Sequence, residues 1–559
     1  MSVEQSLALP PFNLSAADIA WVRTTRDSLS TDNKLHQLFV HICFGHEADN
    51  LLRTNPAGLF PIENRNLGDA WALNKLILDG CEIPPFIAAD IEGGGNHSSG
   101  LTDMPSQLAF AAIADMQVAD NALHVVALEN AAMGVNWTFT PCVDINHAMG
   151  SAIVGTRSYG SDVSTIKAHA LMQTHILQRH GIATTAKHWP GEGYDSRDQH
   201  LVTTINPQST DEWLASFGDV YATMIRAGVY SVMSAHIAFP AYAAKHGIPE
   251  NIERYRPATL SKLLNQTLLR GDMAFNGLVV SDATQMAGLT SFASRAEQVP
   301  LVIESGCDLF LFCQDVEGDF RHMKNGLRNG ALSEQRMEDA VTRILGLKAA
   351  LGLHHKSVSE RIKPLAEIKA LLARPQHSGA ARAIADAAVT LVKDTKSVLP
   401  LNVQKHRRIT WIGRPAPGFL PGMPDKPMSD LRDGLALRGF TVTDFDPEDP
   451  PTAANTDCLL YVLPTESSLG KSRIFIDWLQ EQPGMMNIMS RYWHDIPTVM
   501  ISFGHPYHLY DAPRVPCYIN AYSNVASSQL AVLERLTGNA PFTGISPVDP
   551  FAGAPDSRY

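Results

Sequence analysis

The sequence has no cysteine pair at C-x-x-C spacing; its seven cysteines, at 43, 81, 142, 307, 313, 458 and 517, are scattered and odd in number. That pattern argues against a zinc knuckle and a disulfide framework, and most of the seven are expected to be buried thiols. A long basic run is also missing, and 57 acidic residues stand against 45 basic ones, a formal charge of -12. Nucleic acid and anionic membrane surfaces are therefore disfavoured as partners, and small molecules are the expected ligands. No apolar stretch reaches the roughly 18 to 20 residues that a membrane helix needs. The opening MSVEQSLALPPFNLSAADIA shows no basic segment followed by an apolar core, so a cytoplasmic location is expected. Internal repeats and low-complexity tracts are absent as well.

What the sequence does have is length and apolar content: 559 residues, 45% of them hydrophobic, enough for two or three domains with sizeable cores. Short apolar, β-branched runs recur at 38–43, 58–62, 86–91, 136–145, 181–189, 230–237, 277–283 and 308–314. Near-continuous apolar strands of this kind fit a parallel sheet buried on both faces. Helical signals lie between them. Ser209 and Glu212 form a capping box before Trp213, and a periodic segment over 162–180 stops at Gly181. Eight strands alternating with helices predict an α/β protein with a (β/α)8-like TIM barrel over 1–355. Around 356–395 the strand rhythm gives way to a connector and a helix over 380–393. A smaller α/β sandwich domain is expected over 396–559, with strands at 408–413, 457–464 and 496–504.

In such a barrel the carboxyl ends of the strands line the active site. Those ends carry Asp90 and Glu92, Asp144, Lys187 and His188, His236, Asp282 and Gln314. Any one of them could cap a loop amide. Together they predict a pocket suited to a polyhydroxylated ligand.

The densest stretch is 186-AKHWPGEGYDSRDQHLV-202. Pro190, Gly191 and Gly193 mark a turn, after which Asp198 and His200 stand two residues apart. In extended chain such side chains leave the same side and can hydrogen-bond, and a carboxylate beside an imidazole makes a general acid/base suited to neutral pH. A metal set drawn from His188, Glu192, Asp195, Asp198 and His200 lacks paired-His spacing, so neither a metal nor an organic cofactor is expected. Downstream, Asp282 ends the apolar run of 277-GLVVSDATQMAG-288. There it can cap a helix or attack an electrophilic carbon such as C1 of a sugar.

These residues resemble glycoside hydrolase family 3. The matching stretches, in family order, are 87-IAADIEGG-94, 134-GVNWTFTPCVDIN-146, 155-GTRSYG-160, 186-AKHWPGEG-193 with 198-DQH-200, 233-MSAHIAFPA-241, 257-PATLS-261, 277-GLVVSD-282 and 341-VTRILGLK-348. The later 389-VTLVKD-394 and 521-AYSN-524 resemble the smaller domain of two-domain members. The D-x-H loop is similar to the branch of β-N-acetylglucosaminidases that take their acid/base from the barrel. The resemblance implies Asp282 as nucleophile, His200 as acid/base, Asp198 as its orienting partner, and Asp90, Arg157, Lys187 and His188 as residues that hold the sugar. Three positions depart from the pattern: Gly95 stands where many relatives have Arg, Trp189 where Phe is usual, and Glu192 where His is usual.

The expected activity is a retaining exo-β-N-acetylglucosaminidase acting on β-N-acetylglucosaminides or oligosaccharides that end in them. The alternatives are a phosphorylase that uses phosphate as acceptor, a β-glucosidase or β-xylosidase with a second-domain acid/base such as Glu466, and a binding protein on a retired scaffold. The second domain is expected to frame the pocket or a homodimer. His505 and Tyr522 are its nearest polar candidates.

Overall fold

The computed structural model describes residues 2–63, 66–93, 100–418 and 424–559. Its chain divides into two compact units. The first comprises Met1–Thr102, Leu123–Ile145 and Ile166–His377, and the second Asp103–Ala122, Asn146–Thr165 and Ser378–Tyr559. Among the described residues, no helix is long and apolar enough to cross a membrane.

In the first unit the eight apolar runs become, in order, β1 (Phe39–Phe44), β2 (Gly58–Ile62), β3 (Phe86–Ala89), β4 (Trp137–Thr138), β5 (Thr185–Trp189), β7 (Ser231–Ser234), β9 (Leu278–Ser281) and β10 (Phe310–Leu311). Two short strands, β6 (Thr204–Ile205) and β8 (Ile237–Ala238), pair only with each other. β10-β1-β2-β3-β4 and β5-β7-β9 form two parallel sheets. Parallel bridges Trp137–Ala183 and Val280–Leu309 join them, which completes the ring of the expected barrel. Every residue of β3, β5, β7 and β9 is buried, as strands covered on both faces must be. Trp137 sits fully buried with its indole N–H on Ser231 Oγ at 3.0 Å, so the large ring enters the core without an unpaired donor.

The helix signals hold at residue level. Ser209 and Glu212 close the capping box of Thr210–Trp213, and the helix Val163–Arg179 is followed by Gly181 at φ +80°, a conformation that glycine adopts without a Cβ clash.

The second unit is built on β11 (Thr390–Asp394), β12 (Arg408–Ile412), β13 (Thr441–Asp444), β14 (Cys458–Leu463), β15 (Thr498–Ser502) and β16 (Cys517–Asn520), in the order β11-β16-β15-β14-β12-β13. β12 to β16 are parallel, and β11 runs antiparallel along β16. Successive residues alternate between two cores. Leu460, Val462, Val499, Ile501 and Ile519 belong to one, and Leu459, Tyr461, Met500 and Tyr518 to the other, the period-2 signature of a sheet covered on both faces.

The helix expected over 380–393 is Pro375–Ala388 instead, because Thr390–Asp394 leaves it to pair with β16. Residues 103–122 and 146–165 are held to the rest of this unit by specific bonds. Thr156 N–H donates to Ser467 Oγ at 2.9 Å while Ser467 N–H donates to Thr156 Oγ1 at 3.1 Å. Ser106 Oγ donates to Tyr522 O at 2.8 Å, and Ile545 N–H to Ala112 O at 2.9 Å.

Candidate active site

The carboxyl ends of the first unit's strands bring most of the expected polar residues into bonded groups. Lys187, on β5, places Nζ 2.9 Å from Asp90 Oδ1 and 2.6 Å from Glu92 Oε1, just past β3. Its side chain is 3% exposed and that of Asp90 31%. The cation is therefore buried and paired, as burial demands, while Asp90 keeps part of its surface open.

Next along β5, His188 Nδ1 lies 2.5 Å from Asp144 Oδ2. Asp144 Oδ1 accepts the N–H groups of His188 at 3.1 Å and Glu192 at 2.9 Å. Burial opposes ionisation of Asp144, but the His188 ring and these donors outweigh it and hold its pKa below the ordinary carboxylate value.

The chain then turns. Gly191 has φ +122°, and a Cβ there would lie 2.3 Å from Phe217 Cδ1, so both backbone and space require glycine. Trp213 Nε1 pins the turn through Pro190 O at 2.7 Å. Trp189, the residue before that proline, is fully buried, edge-on to Trp213 and Tyr221.

Asp198 and His200 meet as expected, although through a turn rather than extended chain. Asp198 Oδ1 accepts both the main-chain N–H of His200 at 2.8 Å and its Nδ1–H at 2.7 Å. This fixes the ring and its tautomer and leaves Nε2 without a protein hydrogen bond among the described residues. The side chain of Asp198 is 1% exposed and that of His200 24%, so the imidazole edge reaches solvent while its orienting carboxylate does not. Between them, Gln199 bonds Glu192 Oε2 at 3.1 Å and the His236 N–H at 2.9 Å.

The loop is latched to the segment after β9. Ala287 N–H donates to His200 O at 3.0 Å, Gly288 N–H to Gln199 O at 3.1 Å, and Thr203 Oγ1 to Gly288 O at 2.6 Å. Five residues before Ala287, Asp282 has its N–H on Ser234 O at 2.8 Å and its Oδ1 on the Ala283 N–H at 2.7 Å. Its Oδ2 is buried and has no partner among the described residues. Burial opposes ionisation here too, but His188, His236 and His200, with the Ala283 N–H, hold the Asp282 pKa below the ordinary value. Asp282 thus offers a carboxylate held toward its ionised form with one uncommitted oxygen, and His200 an uncommitted ring nitrogen, group types that serve as nucleophile and as general acid/base.

Of the five residues weighed as a metal set, Asp195 pairs with Arg197 at 2.6 Å and Asp198 with His200, while Glu192 Oε2 accepts from Gln199 and lies 3.8 Å from His188 Nδ1, which is bonded to Asp144. Arg157 belongs to the second unit, where its Nη1 donates to Ile153 O at 3.3 Å. Glu466, also in the second unit, accepts from Ser523 Oγ at 3.0 Å and Asn524 N–H at 2.6 Å, and burial raises its pKa. His505 is buried, and Tyr522 donates to Thr390 Oγ1 at 2.9 Å. Gly95 lies outside the described residues. Sequence reading missed the pairing of Lys187 with both Asp90 and Glu92 and the bridge made by Gln199. The only signal for the first was that all three sit at strand ends.

Residues 30–347 match the model of the glycosyl hydrolase family 3 N terminal domain. A beta-N-acetylglucosaminidase/beta-glucosidase of Cellulomonas fimi is 37% identical over 99% of this chain and 99% of its own. A beta-hexosaminidase of Neisseria gonorrhoeae is 29% identical over 47% of this chain and 76% of its own. Among solved structures, the beta-glucoside phosphorylase BglX bound to 2FGlc superposes with a TM-score of 0.90 at 34% identity, covering 98% of this chain and 100% of that one. Fold, motif order and full-length similarity converge, and the chain belongs to glycoside hydrolase family 3.

Proposed function

We propose that the protein removes terminal β-linked N-acetylglucosamine by a retaining double displacement, with Asp282 as nucleophile and His200 as acid/base. The observation that carries this reading is the loop bearing the Asp198–His200 pair, bonded through its main chain to the segment that follows Asp282. Asp282 Oδ2 attacks C1 of the sugar while His200 Nε2–H protonates the leaving oxygen, so the C1–O bond breaks as an ester to aspartate forms. The neutral imidazole then takes a proton from the acceptor, whose oxygen displaces Asp282. Asp198 orients the ring and stabilises its charged form. Asp90, Lys187 and His188 hold the sugar. Arg157 is assigned that role on its resemblance alone.

A second reading takes inorganic phosphate as the acceptor and releases a sugar 1-phosphate. It draws support from the 34% full-length identity to a protein described as a β-glucoside phosphorylase. The residues support it as well: the acid/base is an imidazole rather than a carboxylate, so an anionic acceptor is repelled less.

Both readings are tested by assaying p-nitrophenyl β-N-acetylglucosaminide and the matching β-glucoside, with and without phosphate, in wild type and Asp282→Ala. Preference for the N-acetyl sugar and a loss of at least ~10³-fold in Asp282→Ala are expected. Turnover that rises with phosphate and yields a sugar phosphate selects phosphorolysis; turnover indifferent to phosphate selects hydrolysis. Unchanged activity in Asp282→Ala would remove both.

A further inference from the structure

We propose that Asp18, His354 and His355 form a binding site for a borderline divalent cation such as Zn2+. Asp18 lies on the helix Ala16–Ser28, and the two histidines follow the helix Glu334–Ala350. Although 336 residues separate Asp18 from His354, Asp18 Oδ1 lies 3.0 Å from His354 Nε2 and 3.4 Å from His355 Nε2. All three atoms lie within 4.8 Å of one another. Ligands held tetrahedrally at ~2.0–2.1 Å from zinc stand roughly 3.3–3.5 Å apart. The two separations from Oδ1 come within a few tenths of an ångström of that edge, so Oδ1 and each imidazole nitrogen already stand near ligand spacing.

The surroundings fix each ligand. The other oxygen of Asp18, Oδ2, accepts from Ser15 Oγ at 2.6 Å and Ser15 N–H at 3.2 Å, which leaves Oδ1 for the histidines. Hydrogen-bonded carboxylates of this kind orient ligands at metal sites. Trp21 packs on the His354 ring with centroids 4.5 Å apart, and the two imidazoles meet tilted by 39°, their centroids 3.6 Å apart. His354 is 2% exposed in its side chain and His355 71%, so solvent reaches one side of the site and water can complete the coordination. Two imidazole nitrogens with one carboxylate oxygen suit Zn2+ better than Mg2+ or Ca2+, which prefer all-oxygen sets.

A second convergent set, Cys142, Asp144 and His188, lies in the candidate active site, and Asp144 there already accepts from four internal donors, Cys142 Sγ among them. The test must tell the two apart. Zn2+ is titrated into chelator-stripped full-length wild type, His355→Ala and Asp18→Asn in competition with 4-(2-pyridylazo)resorcinol, and thermal unfolding is followed with and without the ion. Wild type is expected to hold one more equivalent of zinc than either variant and to show a zinc-dependent rise in Tm that both variants lose. Glycosidase activity measured without zinc should be the same in all three. His355 is exposed, so its replacement is expected to leave the zinc-free fold intact. A wild type that binds no extra equivalent, or a variant that retains it, would overturn the proposal.

Discussion

In the proposed mechanism, a proton on His200 Nε2 matters most when the leaving group is poor. His200→Ala is expected to slow cleavage of alkyl or sugar aglycones by about 10²–10⁴-fold and that of p-nitrophenyl glycosides much less, because nitrophenolate leaves without protonation. Rates over a series of leaving groups measure this, and an equal loss across the series would assign the ring a structural role. A second residue-scale expectation concerns Lys348, fully buried with Nζ on Gln37 Oε1 at 2.9 Å and 5.3 Å over the Phe86 ring. Burial lowers its pKa from 10.5 to about 7. Between those two values the unfolded chain binds a proton that the folded chain does not, so this lysine makes stability rise as pH increases from about 7 toward 10.5 and imposes its full cost below about 7. Lys348→Met should therefore be more stable than wild type at pH 7, by on the order of 1 kcal/mol or more. The gap should close as pH rises, which denaturation curves at several pH values would show. Much of the candidate site was legible at this scale. Asp282 ends an apolar run, and Asp198 and His200 are two residues apart. Lys187 and Asp90, separated by 97 residues, share no local signal, and their pairing follows only from the closed ring of strands.

At the scale of elements, the turn between β5 and the His200 loop is the most constrained piece of the site. Gly191→Ala would require a strained φ and a contact inside the Phe217 ring. The expected cost is about 2 kcal/mol or more in stability, with at least a tenfold loss of activity as His200 shifts. Gly181→Ala supplies a control, since φ there is also positive but nothing lies within 4 Å of its Cβ. It should lose stability and keep activity. Element type was legible where burial was complete. The eight barrel runs are apolar because helices cover them outside and side chains fill them inside. In the second unit β13 is short and largely exposed, so no hydrophobic pattern announces it. β11 was read as the end of a helix because nothing local marks its pairing with β16, about 130 residues away.

For the whole molecule, the division into units makes a prediction about truncation. A chain ending at residue 377 keeps every strand of the first unit but leaves 103–122 and 146–165 without the partners that Ser467, Tyr522 and Ile545 provide. Such a fragment should be poorly soluble and at least 100-fold less active than the full chain, as size-exclusion chromatography and assay would reveal. A monodisperse, active fragment would show that those two segments do not need their partners.

The interleaving of the two units also bears on inheritance. Each unit is written in three separate stretches of the chain, so a single genetic crossover cannot exchange one unit for a homologue's without splitting the other. Chimaeras cut at 377 should therefore work only between parents that already share the residues of 103–122 and 146–165.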